Sequence, residues 1–287
     1  GQMMKKLIAS QVAGYRRDGF LAAQPALSRE EVTYFRSELE SFETDLGGRI
    51  TELAPMHGRK LHVRFSWAAE LVRHPEIVDV VEDLIGPDIL AFNATFFIKE
   101  AGADGFTAWH QDSTYFGLEP QEHVSAWIAL SEASVESGCM EFLPGSSSLG
   151  QLNHAAKVLP NSINHGNQTV VEPFDATGGV MVPVPPGSFS CHHTRVLHQS
   201  GPNQSNDRRI GFGVSYIPAH VRHTGSMRMP ATLIRGEDRY GNFDLEPDPR
   251  TLSPTDAVAA HEAAYAGYRA GYVEQMERHI ERFGASG

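Results

Sequence analysis

Apolar residues recur along this chain with two different periods, and the switch between them divides it. In the first third they keep helical spacing. Val32, Phe35, Leu39 and Phe42 fall three or four residues apart within a helix expected over 29–47. Ser28 stands just ahead of that run with Glu31 three residues on, the pairing in which each side chain caps the other's backbone N–H. Residues 9–17 form a shorter helix that turns at Asp18-Gly19 into a brief strand at Phe20-Leu21, and 69–84 is helical again, broken at His74-Pro75 and ended by Gly86-Pro87. From Ile89 the texture changes. Segments 89–98, 124–130, 169–171, 189–193 and 210–217 are short and rich in β-branched and aromatic residues. Gly/Pro/Ser/Asn clusters at 101–105, 144–150, 183–187 and 201–206 supply the turns. The tail, Pro254 to Phe283, returns to helix. Helices, then strands, then a helix predict an α+β, mainly β chain built on a β-sandwich. We expect one domain over 1–287: a mainly helical flank at 1–88, the β core at 89–220, and a C-terminal extension and helix at 221–287.

Composition narrows the class. An apolar share of 41% and a charged share of 21% suit an ordinary globular enzyme. A formal net charge of −11, with no Lys/Arg cluster to offset it locally, argues against nucleic acid as a partner. No apolar stretch reaches the ~18 residues of a membrane span. No apolar segment follows Lys5-Lys6 either, so a cytoplasmic location without membrane contact is expected. Cys139 and Cys191 are too few for a disulfide framework and are expected to be reduced, buried small residues. Cys191 is close in sequence to the candidate chemistry below. Monomer and homodimer are both compatible with the sequence.

The candidate chemistry is His110-Gln111-Asp112. Successive side chains of a strand point to opposite faces, so His110 and Asp112 can reach one ion from one strand while Gln111 points away. A third ligand must come from far along the chain, brought alongside by a closed or sandwiched sheet. His198 is the candidate; His192 shares its strand parity and His193 is close by. Two imidazoles and one carboxylate on one face of an octahedral ion leave three positions open, which suits Fe(II) and oxygen chemistry. Downstream, Arg208 and Arg209 point to opposite faces of a strand, so one of them looks inward. A guanidinium fork fits a carboxylate in a way that lysine does not. With 14 histidines in the chain, spacing alone does not single these residues out.

The surrounding motifs do. Trp109-His110-Gln111-Asp112, Ala126-Trp127-Ile128-Ala129-Leu130, Ser137-Gly138-Cys139-Met140, Pro144-Gly145-Ser146, and His198-Gln199-Ser200-Gly201-Pro202-Asn203 followed by Arg208-Arg209 resemble the phytanoyl-CoA dioxygenase family. The resemblance runs over about 12–240, with motifs agreeing in order and spacing. It implies a double-stranded β-helix, or jelly roll, with flanking N-terminal and C-terminal helices. It implies Fe(II) held by His110, Asp112 and His198, with 2-oxoglutarate and O2 as co-substrates. The Gly-Pro-Asn turn and the spacing to the arginine select His198 over His192 and His193. Arg209, eleven residues beyond His198, matches the arginine that grips the distal carboxylate of 2-oxoglutarate. Ser200 shares a face with His198, and Thr107 and Trp127 match pocket-lining positions; Asn93 is a further candidate on a core strand.

These residues lead to a hydroxylase acting on an aliphatic C–H bond of a small metabolite, with release of succinate and CO2. Halogenation by the same family needs Ala or Gly at the carboxylate position, and Asp112 occupies it. Desaturation or cyclisation leaves no mark in a sequence. A structural or sensing metal site is the reading from another class, and a zinc hydrolase would leave Arg209 and Ser200 without a task. For the substrate, Tyr115 and Phe116 follow the metal motif. His57, Lys60 and His62, with Arg59 and Arg64, form a cationic stretch in an acidic chain. It is either a basic stretch that is solvated or paired with local carboxylates, or the sign of an anionic or zwitterionic substrate such as an amino acid, a phosphonate or a natural-product intermediate.

Overall fold

The computed structural model describes residues 3–155 and 169–284. Its core is a jelly roll of two facing sheets. The larger has seven strands in the order Phe20–Pro25, Ser188–His193, Val124–Ala129, Arg209–Pro218, Ile89–Lys99, Pro230–Arg235, Asp244–Leu245. The smaller has four, in the order Thr107–His110, His198–Ser200, Met140–Phe142, Val180–Val182. All these pairings are antiparallel except the last of the larger sheet. The larger sheet thus reaches outside the 89–220 stretch at both edges. Pro230–Arg235 was not legible because it is short and opens on proline, a residue that strands accept at their first position.

Strict alternation gives the larger sheet two unlike faces. Ile210, Phe212, Val214 and Tyr216 join Val124, Ala126, Ile128, Phe189 and Cys191 in the main apolar core, against helix residues such as Phe35, Leu39, Leu71, Ile77 and Val81. The intervening residues Arg209, Gly211, Gly213 and Ser215, with Ser125, Trp127, Ser190 and His192 beside them, point to the other face. That face looks toward the smaller sheet, which Lys99 reaches through Ser200, and carries buried polar side chains.

The helices form where the local signals put them. Ser28 Oγ accepts from the Glu31 N–H at 3.1 Å and Glu31 Oε1 accepts from the Ser28 N–H at 3.0 Å, opening Arg29–Leu46. His74-Pro75 separates Ser66–Val72 from Pro75–Ile85. The last helix, Pro254–Phe283, buries His261, Ala264, Tyr268, Gly271, Gln275 and His279 along one stripe. That stripe covers the turn after the metal motif, where Tyr115 stands 5.4 Å from the Tyr272 ring and 5.5 Å from His279.

Arg208 ties the N-terminal flank to the barrel. Its guanidinium bonds Glu43 at 2.6 and 2.9 Å, Glu100 at 2.9 and 3.0 Å, and Glu40 at 3.1 Å. Glu43 is itself buried, so removing the cation strands a carboxylate away from water. Arg208→Ala is therefore expected to lower the unfolding free energy by about 3–5 kcal/mol. Urea denaturation checks this, and a loss under about 1 kcal/mol, the scale of a surface ion pair, would mean that the cluster does not anchor the flank.

Candidate active site

The antiparallel register places His198 directly opposite His110 in the smaller sheet, with the two ring centroids 4.1 Å apart. Each imidazole is fixed through Nδ1, which lies 2.8 Å from the Ala108 carbonyl in His110 and 3.0 Å from the Val196 carbonyl in His198. A carbonyl accepts only from a protonated Nδ1, which leaves each Nε2 with a free lone pair. Both Nε2 atoms stand 3.4 Å from Asp112 Oδ1. Two bonds of about 2.1 Å at right angles separate their donor atoms by about 3 Å, so the three atoms suit one face of an octahedral ion. No other group of three such side chains converges in this way among the described residues.

Asp112 does not lie on the strand as expected. The strand stops at His110, Gln111 is extended, and Asp112 opens a 3-10 turn over Asp112–Tyr115. The second oxygen of Asp112 is pinned, by His192 Nε2 at 2.8 Å and by the Ser125 hydroxyl at 3.0 Å. Ser125 is also 3.0 Å from His123 Nε2, and His123 Nδ1 is 2.9 Å from Thr194 Oγ1. One oxygen therefore faces the imidazoles while the other is held from behind, an arrangement that fixes ligand orientation. Burial pushes the Asp112 carboxyl up, but His198 and His192 outweigh it and hold the group well below the usual carboxylate range. Burial and the neighbouring His198 push His110 down, favouring the neutral ring that a metal needs. His192, the rival ligand, is thus committed to Asp112. His193 accepts from the Arg195 N–H at 3.0 Å. Gln111 points away, donating to the Gly150 and Arg195 carbonyls at 2.8 and 2.9 Å.

Further into the barrel the two arginines separate as alternation requires. Arg208 is saturated by carboxylates on the outside, whereas Arg209 is buried inside with no acidic partner among the described residues. It donates to the Gly138 carbonyl at 2.6 Å and to the Phe97 carbonyl at 3.3 Å, and its Nε bonds nothing. Burial pushes it down to about 10. A buried, half-used guanidinium is costly unless an anion completes it. The Trp127 ring lies 5.1 Å from the guanidinium carbon and occupies the space left by Gly211, where a Cβ would stand 1.9 Å from the indole. Thr107 and Ser200 are cross-strand partners, and Ser200 Oγ accepts from Lys99 Nζ at 2.7 Å. Asn93 is buried on the inner face with its Oδ1 unpartnered.

The substrate candidates fare unevenly. Lys60 is fully buried and paired with Glu246 at 2.8 Å; His62, also buried, bonds Thr232 Oγ1 at 3.2 Å. Both are spent inside the fold, and His57 is half-buried, its ring 6.3 Å from Phe42. Arg59 and Arg64, their neighbours, carry no ion pair among the described residues. Tyr115 and Phe116 pack under the last helix, Phe116 with its ring 6.4 Å from Tyr268. Cys191 belongs to the outer apolar core; it is Cys139 whose thiol feels Arg209 and Lys99. Lys99, His123, Ser125 and Tyr268 were missed. For Lys99 a signal existed, since a lysine shares strand parity with Asn93 in an otherwise apolar run.

A jelly roll with a two-histidine, one-carboxylate face and an unpaired arginine in the barrel defines the class: a metal-dependent oxygenase that uses a 2-oxo acid. Comparison with known proteins agrees. The family model of phytanoyl-CoA dioxygenase matches residues 15–211, and the chain belongs to that family. It is 27% identical over 255 residues to a probable alpha-ketoglutarate-dependent hypophosphite dioxygenase of Stutzerimonas stutzeri, covering 83% of this chain and 85% of that one. It is 25% identical to an L-proline trans-4-hydroxylase of Streptomyces griseoviridis, covering 72% and 87%. Among solved structures, the non-heme monooxygenase ThoJ superposes with a TM-score of 0.81 at 29% identity, covering 93% of this chain and 99% of that one. The protein is an Fe(II)- and 2-oxoglutarate-dependent dioxygenase.

Gly211 gives a direct check on the inner face. In Gly211→Ala the indole must move off the guanidinium, at an overpacking cost of about 1–3 kcal/mol. The apparent KM for 2-oxoglutarate is expected to rise at least about tenfold, with a shift in tryptophan fluorescence. An unchanged KM would show that Trp127 does not shape the co-substrate pocket.

Proposed function

We propose that this enzyme hydroxylates an aliphatic C–H bond of a small anionic or zwitterionic metabolite, coupled to conversion of 2-oxoglutarate into succinate and CO2. His110, Asp112 and His198 hold Fe(II), which supplies the oxygen activation. Arg209 binds the distal carboxylate of 2-oxoglutarate through its planar fork, while Trp127, Thr107, Ser200 and Asn93 line the same pocket. His192 and Ser125 keep Asp112 turned toward the ion by one oxygen. The last helix, through Tyr268 and Tyr272, shields the site from water on the side of the 112–115 turn.

The observation that carries hydroxylation over halogenation is the carboxylate at position 112, pinned from behind and facing both imidazoles. It fills the place a halide needs. An anionic substrate group is supported by Arg59, which is half-buried and without an ion pair among the described residues. Arg59 bridges to Thr95 on the inner-face strand, and its charge reaches Tyr268, as does that of Asp112. Hypophosphite and proline, named for the two relatives above, are an anion and a zwitterion.

Succinate release from 2-oxoglutarate with Fe(II) and ascorbate tests the reaction class. His110→Ala and His198→Ala are each expected to abolish it and to weaken Fe(II) binding, and full activity in His198→Ala would move the third ligand elsewhere. Small anionic metabolites should accelerate the release while uncharged analogues of the same size should not. Products made in concentrated chloride should gain oxygen only; mass spectrometry showing chlorine in place of hydrogen would overturn the reading. Arg209→Ala should leave Fe(II) binding intact and raise the KM for 2-oxoglutarate. Removing one partner of a buried charged pair costs ~2–5 kcal/mol, or roughly 30- to several-thousand-fold. A larger effect from Arg208→Ala on that KM would reverse the strand assignment.

A further inference from the structure

Arg209 is not the only buried basic side chain on the inner face of the larger sheet. Lys99 ends the Ile89–Lys99 strand directly opposite Arg209 in the register, and it is only 2% exposed. Its Nζ donates to Ser200 Oγ at 2.7 Å and to the Gly201 carbonyl, so it spans from the larger sheet to the smaller. The groups that face it are Arg209 from the paired strand, the Cys139 thiol from the turn before Met140–Phe142, and these two neutral oxygens. Asn203 Nδ2 bonds the Lys99 carbonyl at 2.9 Å. Glu100, next along the strand, is turned to the opposite face and taken by Arg49, Thr51 and Arg208. No carboxylate reaches Lys99 or Arg209 among the described residues.

A buried amine beside a buried guanidinium is costly to charge without an anion, since the two charges oppose each other and both groups have lost water. Stability does not explain the pair; a doubly held anionic group does. We propose that Lys99 is the second anchor of the 2-oxoglutarate distal carboxylate, its Nζ turning from the Gly201 carbonyl to one carboxylate oxygen while Arg209 binds the carboxylate from the other side. Ser200 stays bonded to Nζ and presents its hydroxyl to the same group. The proposal rests on the 2-oxoglutarate reading above and adds a positioning residue to it.

A consequence separates it from a structural role. Burial, reinforced by Arg209, pushes Lys99 down to about 6, which favours the uncharged amine at neutral pH when no anion is bound. A carboxylate beside it favours the charged form and raises that value. Between the free and the bound values, binding takes up a proton, and affinity falls as pH rises.

The test is anaerobic calorimetry of 2-oxoglutarate binding to the Fe(II)-loaded enzyme near pH 7.5, repeated in buffers of different ionisation enthalpy. Wild type should take up close to one proton per 2-oxoglutarate. Lys99→Met should bind roughly 10- to 100-fold more weakly and take up none. Lys99→Gln, which keeps uncharged donors for Ser200 and Gly201, should bind weakly in the same way. A 2-oxo acid without the distal carboxylate, 2-oxobutyrate, should bind all three alike. If wild type takes up no proton, or if Lys99→Gln binds 2-oxoglutarate as tightly as wild type, Lys99 is not an anchor. If wild type fails to bind 2-oxoglutarate at all, the reading beneath the proposal falls with it.

Discussion

Strand register is the constraint on which this site depends. His198 lies opposite His110 in one sheet, and Arg209 lies opposite Lys99 in the other. A slip of one residue in either sheet would turn every one of these side chains to the far face. The register is secured by what the opposite faces bury. Ile210, Phe212, Val214 and Tyr216 cannot face water, so Arg209, Gly211, Gly213 and Ser215 are forced inward. The apolar core thereby aims the polar residues, and its packing energy holds chemistry that is itself unfavourable to fold.

That division also explains the two fates of adjacent arginines. Arg208 falls on the outer side, where Glu40, Glu43 and Glu100 neutralise it and where its task is mechanical. Arg209 falls on the inner side, where no acidic group among the described residues neutralises it and where backbone carbonyls only partly satisfy it. The same asymmetry runs through the cationic stretch before the barrel. Lys60 and His62 are consumed by Glu246 and Thr232, while Arg59 and Arg64 have no ion pair among the described residues.

Much of this was legible in the sequence because it is local. The capping box at Ser28, the break at His74-Pro75 and the full extent of Pro254–Phe283 follow from neighbours within a few residues. The alternation that parts Arg208 from Arg209 is equally local. What was hidden depends on contacts between distant segments. Nothing near Lys60 or His62 announces Glu246, which lies far downstream and folds back beneath them. His192 shares parity with His198, and only the three-dimensional path of the 112–115 turn decides that it serves Asp112 instead of the ion. Lys99 carried a parity signal, but its meaning required knowing that the strand opposite begins at Arg209.

The central claim is that the two inner faces of the barrel bring together a facial metal site from the smaller sheet and an anion site from the larger, which take one 2-oxo acid between them. A crystal structure of the anaerobic complex with Fe(II) and 2-oxoglutarate tests it most directly. The account predicts the ion on His110 Nε2, His198 Nε2 and one oxygen of Asp112, with the distal carboxylate of 2-oxoglutarate against the Arg209 guanidinium beneath Trp127. An ion coordinated by His192, or a 2-oxoglutarate whose distal carboxylate lies away from Arg209, would contradict it.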